Sequence, residues 1–260
     1  MAQPSTALIE AKIKAARGLD KEMEQRLKAI FKLLDPFEID LTYPAFEAAF
    51  IAEMERVAGR HYVLERAFLE AYISREFGLK PQGTDAVFTA LTTGQREAAK
   101  SSLSSLTRAT IKAHSAKGHS ITKAYADAET RVLGLGKRVA RDPSRELTAR
   151  VGGKTRGLGY YKRVTTSGNT CSWCEMIAGR GAVYTIDTAQ GSWHDNCSCL
   201  AVPARYQDGP KPTSTQKTMV KPKKTELDKE KIRENIKEWE RKRDAGEIEL
   251  TPLPPRPTFV

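Results

Sequence analysis

All four cysteines of this 260-residue chain fall in one short stretch, as Cys171-Ser-Trp-Cys174 followed by His194-Asp-Asn-Cys197-Ser-Cys199. Thiolate and imidazole donors in two close-spaced groups about twenty residues apart are how a chain presents a tetrahedral set of ligands to zinc. A Cys-x-x-Cys turn places two thiolates on one side of the tetrahedron, so Cys171 and Cys174 form the first pair. His194, Cys197 and Cys199 compete for the other two places, with His194 plus one cysteine favoured over the two cysteines together. A closed set of four leaves no coordination position for a reacting water, so the expected metal is a structural Zn2+ and no catalytic residue is assigned. By analogy with zinc-finger peptides such binding contributes on the order of 10–16 kcal/mol to folding at neutral pH. Disulfides are the competing structural reading, disfavoured in a reducing compartment.

The second chemical feature is charge. Of a net +11, the largest part sits between Arg131 and Arg163, where ten Lys and Arg face only Asp142 and Glu146. Arg138, Arg141, Arg145, Arg150, Lys154, Arg156, Lys162 and Arg163 are the candidates for nucleic-acid contact, with Tyr160 and Tyr161 beside them. The competing reading is a solvated helix face. His61, His114 and His119 fall on separate predicted helices with no acidic or nucleophilic partner at useful spacing, and read as surface or boundary residues. No Gly-x-Ser-x-Gly, phosphate loop or His-Glu-x-x-His occurs.

Amphipathic helices must position these groups. A 3.6-residue apolar period predicts a helix over 5–34, with Gly18 a point of breakage, and a second over 42–77 stopped by Gly78 and Pro81. A short helix or turn is expected at 84–91, and helices at 94–117 and 120–141, the last softened by Gly134 and Gly136. Asp142-Pro143 then opens a separate short helix, 144–151, closed by Gly152-Gly153. Strands are predicted at 160–166 and 182–186, with a helical turn at 174–178. From Gln207 the chain is Pro- and Lys-rich, interrupted by a charged helical pattern over 225–245.

The fold class expected is therefore mostly α. A helical domain (1–150) precedes a small α+β zinc-stapled module (151–206) and an extended C-terminal tail (207–260) whose charged helix orders on a partner. No apolar run reaches the roughly 20 residues that span a bilayer, and the N-terminus lacks a basic region followed by an apolar one, so no membrane partner and no export are expected.

The cysteine stretch also resembles a phage family. Thr170-Cys-Ser-Trp-Cys174-Glu-Met-Ile-Ala-Gly-Arg180-Gly-Ala-Val-Tyr184, then Trp193-His-Asp-Asn-Cys197-Ser-Cys199-Leu-Ala-Val-Pro203, is similar to the C-terminal motif of MuF-like minor head proteins of the actinobacteriophage type. The lead-in Gly159-Tyr-Tyr-Lys-Arg-Val164 is similar too, while Asp195 and Ser198 depart from the family's frequent proline and arginine. The resemblance implies a minor capsid protein at the portal in the virion head interior, present in the host cytoplasm during assembly. Its implied partners are the portal protein, the major capsid or scaffold protein, and packaged DNA held through phosphates. A capsid maturation protease, a metal nuclease and a zinc-containing DNA-binding protein are the alternatives. The first two lack a recognisable constellation here, and the third a recognition helix beside the cysteines.

Overall fold

Five helices and a two-stranded sheet make up the computed structural model, which describes residues 4–118, 120–165, 178–185, 200–205 and 241. The chain divides into one compact unit, Met1–Lys211, and a second, Pro212–Val260, of which only Arg241, in helix, is described.

Helix α1 (Pro4–Phe31) runs without a break through Gly18. A glycine in a helix interior costs about 1 kcal/mol relative to alanine, which the buried row Met23, Leu27 and Phe31 readily offsets. Helix α2 (Ile39–Phe77) begins three residues before the predicted start and ends at Gly78, whose left-handed φ of 64° lets its N–H bond Ser74 O at 3.1 Å. Ion pairs link Arg26 with Glu53, Glu22 with Arg56 and Arg60, and Lys12 with Glu65. As one residue number falls the other rises, so α1 and α2 are antiparallel. The expected apolar stripe of α2 is only partly right, since Val63 is 58% exposed while Glu53, His61 and Glu65 are buried.

Residues 79–92 form no helix. Here the expected short helix or turn at 84–91 gives way to an extended strap held from outside: Tyr62 Oη donates to Ala86 O at 3.1 Å, and Phe88 packs on Tyr62, 5.8 Å between ring centroids. Thr92 and Gln95 make a reciprocal capping box that starts α3 (Thr93–Ser104). A π-helical turn (Ser105–Ala109) joins it to α4 (Thr110–Ala116).

Helix α5 (Ile121–Lys154) overturns the largest local expectation, because it is one helix rather than two. Pro143 removes a single backbone hydrogen bond, but Val139, Ala140, Leu147 and Val151 keep one buried stripe on either side of it. The glycines mark close approach, not fraying. A Cβ on Gly136 would stand 2.5 Å from Leu27 Cδ1, and one on Gly152 2.6 Å from Tyr161 Oη. These contacts seat α5 against α1 and the sheet.

The buried residues fall into two apolar clusters, one around Leu27, Phe31, Phe46, Phe50, Met54 and Leu135, the other around Tyr72, Ile73, Leu147, Val151 and Val202. Val202 belongs to β2 (Leu200–Ala204), which pairs antiparallel with β1 (Tyr160–Val164) from Tyr160↔Ala204 to Val164↔Leu200. The sheet thus shares the second cluster with α2 and α5. The expected strand at 182–186 is reduced to one bridge, Tyr161↔Tyr184, with Ile186 outside the described residues.

Candidate functional site

The five predicted metal donors, Cys171, Cys174, His194, Cys197 and Cys199, lie outside the described residues, as do the helical turn at 174–177 and most of the charged helix at 225–245. What is described is the frame to which their segments attach. Residues 166–177 follow Thr165 at the end of β1, and residues 186–199 lead into Leu200, the partner of Val164. Between the two, Tyr184 is clipped to β1 by Tyr161 N–H···O Tyr184 at 2.8 Å and the reciprocal bond at 3.4 Å. The first donor-bearing segment therefore starts from β1, and the second runs from just after Tyr184 into β2. Because Tyr161 directs its backbone groups to Tyr184, the missing N–H of its other neighbour, Pro203, leaves no gap in the ladder. Tyr161 Oη donates to Ala149 O at 2.7 Å, which bolts the frame to α5. Burial pushes this phenol up to about 12, and it raises the Tyr184 phenol against the pull of nearby Arg180 and Arg163. The donor set, four thiols and an imidazole, fits a zinc ion by its chemistry.

The basic run separates into two populations. Arg141 pairs with Asp20 of α1, Arg145 with Asp142 at 2.7 Å, and Lys137 with Glu24 at 2.5 Å. Arg163 is 5% exposed on the buried face of β1, and Arg138 and Lys162 are half-buried. Arg150, Lys154 and Arg156 are exposed at the end of α5. Among the described residues these three make no ion pair. The sequence alone could not sort them, because the acids that engage Arg141 and Lys137 lie more than a hundred residues upstream.

The structure also brings together charges that the sequence reading passed over. Between the two apolar clusters, α1, α2 and α5 each contribute to a buried polar layer. Lys12 Nζ stands 2.6 Å from Glu65 Oε2, and Thr148 Oγ1 donates to Glu65 Oε1 at 2.7 Å. Beside them Asp20 receives Arg141, and His61 Nε2 lies 3.3 Å from Asp20 Oδ1, close in distance but off the line of a good hydrogen bond. His61 is 4% exposed and has an acidic neighbour, contrary to the expectation of a surface residue without one. Its partner comes from another helix, which spacing along the chain does not reveal. Burial pushes the Lys12 ammonium down, against the support of Glu65. His114 is half-buried in α4, and His119 lies outside the described residues.

At the α1–α2 turn Phe37 and Leu41 are 81% and 75% exposed. They border a groove of about 510 Å3 shared with Ile111 and Ile121, and Asp40 on its rim is bridged to Lys112 at 2.7 Å. No helix among the described residues is long and apolar enough to cross a membrane.

A family model described as VG15 protein matches residues 81–221, more than half of the chain and a span that takes in α3 to α5, both strands and all five donors. The chain belongs to the VG15 protein family. That family is phage-associated, and membership points to a phage-encoded protein. No curated protein and no solved structure matches the chain.

Proposed function

We propose that this member of the VG15 family is a structural, non-enzymatic minor head protein of a tailed phage, MuF-like in its cysteine module and associated with the portal inside the head. The observation that carries the reading is the family match, which spans the motif Cys171 to Cys199 together with helices α3 to α5 before it. In this reading Zn2+ held by four of the five donors staples residues 166–199 onto the β1–β2 frame, a segment too short to build a large core of its own. Phe37 and Leu41, the two most exposed large apolar side chains among the described residues, support a docking role for the helical part toward portal, capsid or scaffold. The exposed cations of α5 support contact with packaged DNA.

Particles purified from infections with and without portal test the proposal by quantitative mass spectrometry. The expected result is a few copies per particle, lost when portal is absent. A chain missing from wild-type particles, or present at shell stoichiometry regardless of portal, refutes it.

A further inference from the structure

The cations at the end of α5 do not stand alone. Past Gly78 the chain turns back along that end. Gln82 N–H donates to Thr155 Oγ1 at 3.1 Å, a Cβ on Gly157 would lie 3.9 Å from Leu79 Cδ1, and the Lys154 side chain passes Gly83 so closely that a Cβ there would be 3.0 Å from Lys154 Cδ. Gly83 has φ of 81°, so the strap takes a turn that glycine permits while lying against the Lys154 and Arg150 stems. Lys80, between the two contact points, is thereby carried to the edge formed by Arg150, Lys154 and Arg156. All four are exposed, and among the described residues none makes an ion pair. Of the carboxylates near in sequence, Glu146 is engaged by Gln95 Nε2 at 2.7 Å.

We propose that Lys80, Arg150, Lys154 and Arg156 form one phosphate-contacting edge for double-stranded DNA, and that the other cations of the Arg131–Arg163 run are not part of it. Four cations presented from two backbone segments that fix each other's position form a pre-set row, and a duplex supplies a matching row with one negative charge per roughly 1.7 Å of axis. Of the remaining cations, Arg141 and Lys137 tie α5 to α1, Arg145 is engaged by Asp142, Arg163 is inside the sheet face, Arg138 and Lys162 are half-buried, and Arg131 is exposed but lies well back along α5 from this edge. Among the described residues no exposed aromatic lies beside the four, which suits an edge that reads backbone rather than stacking on unpaired bases. The inference deepens the head-protein reading and rests on it only for which DNA the edge meets.

The test is binding of the full chain, metal retained, to a fluorescein-labelled mixed-sequence duplex across 50–200 mM salt. Each phosphate contact contributes about 0.9 to the log–log salt slope. Lys80→Gln and Arg156→Gln should each lower the slope by about 0.9, and the quadruple Gln variant by about 3 to 4, removing roughly 100-fold of salt-dependent affinity over that range. Arg131→Gln, an exposed cation near the other end of α5, should leave the slope unchanged. Melting temperatures of the single variants should match the parent. The proposal is overturned if Arg131→Gln lowers the slope as much as Arg156→Gln, or if the single variants leave it unchanged. Incorporation into particles is scored separately: normal incorporation with a lost slope leaves the head-protein reading standing, and absence of the parent chain from particles with the slope intact overturns that reading alone.

Discussion

Lys12 Nζ lies 2.6 Å from Glu65 Oε2, with the two side chains 5% and 6% exposed. An ion pair this deep costs much desolvation, and its value lies in what mispairing would cost: sliding α1 by a turn against α2 would leave both charges buried and alone. Lys12→Met should therefore destabilise the fold by about 3–5 kcal/mol, while Lys12→Met with Glu65→Leu should recover most of the loss. Thr148 Oγ1 keeps Ser144 O, at 3.2 Å, as a second partner in the double variant. Urea denaturation of the four proteins of this cycle gives the coupling directly. Additive losses would mean that the pair does not set the register.

Asp20 predicts the acid limit of the helical part. Burial alone would raise its carboxyl, but His61 and the Arg141 guanidinium overcome that and hold it below the ordinary 3.8. A carboxyl with a lower value folded than unfolded binds fewer protons in the native state, so its contribution is complete above the unfolded value and lost as pH falls through the folded one. The parent's unfolding free energy should therefore fall below pH 3.8 more steeply than that of Asp20→Asn. At neutral pH the variant should be the less stable, since Arg141 loses its charged partner. Parallel pH curves for the two proteins would show that Asp20 carries no share of the acid sensitivity.

The helical character of the first 150 residues was legible because Met23, Leu27, Phe31 and Phe46, Phe50, Met54 repeat at helical spacing and are all buried. What the sequence hid is non-local. Gly134 and Gly136 read as softening and Asp142-Pro143 as a break when only local propensity is weighed, yet Leu27 sits where a Cβ of Gly136 would be. Val63 looked like part of the apolar stripe and His61 like surface, because the helix face that meets α1 there is polar. Strand β2 was missed since Pro203 argues against a strand unless its neighbour bonds elsewhere, as Tyr161 does with Tyr184. The ten cations of the basic run could be counted but not sorted, for Asp20 and Glu24 reach them only through the fold.

The glycines give a paired prediction with opposite signs. Nothing lies within 4 Å of a Cβ built on Gly18, so Gly18→Ala should stabilise by up to about 1 kcal/mol. Gly152→Ala would press a methyl onto the Tyr161 ring, whose hydroxyl is fixed on Ala149 O at 2.7 Å. The ring cannot retreat without giving up that bond, so a loss of about 1–3 kcal/mol is expected. Thermal melts of the two variants beside the parent decide it, and a neutral Gly152→Ala would mean that the sheet frame can shift away from α5 at little cost.

Metal removal should act on the sheet frame before it acts on the helices. The segments bearing Cys171, Cys174 and His194, Cys197, Cys199 are continuous in sequence with β1, β2 and the stretch around Tyr184, and among the described residues the Tyr161↔Tyr184 bridge is the backbone pairing that joins the middle of this region to β1. If zinc staples these segments, a chelator should release one zinc per chain and speed amide exchange at Tyr184, while α1 and α2 stay protected by the apolar cluster around Leu27 and Phe50. Cys171→Ser and Cys174→Ser should each abolish binding. Of Cys197→Ser and Cys199→Ser, only one should do so if His194 is a ligand. Blocked thiols in the denatured, unreduced protein would instead identify disulfides, and the same exchange change would then follow a reductant and not a chelator.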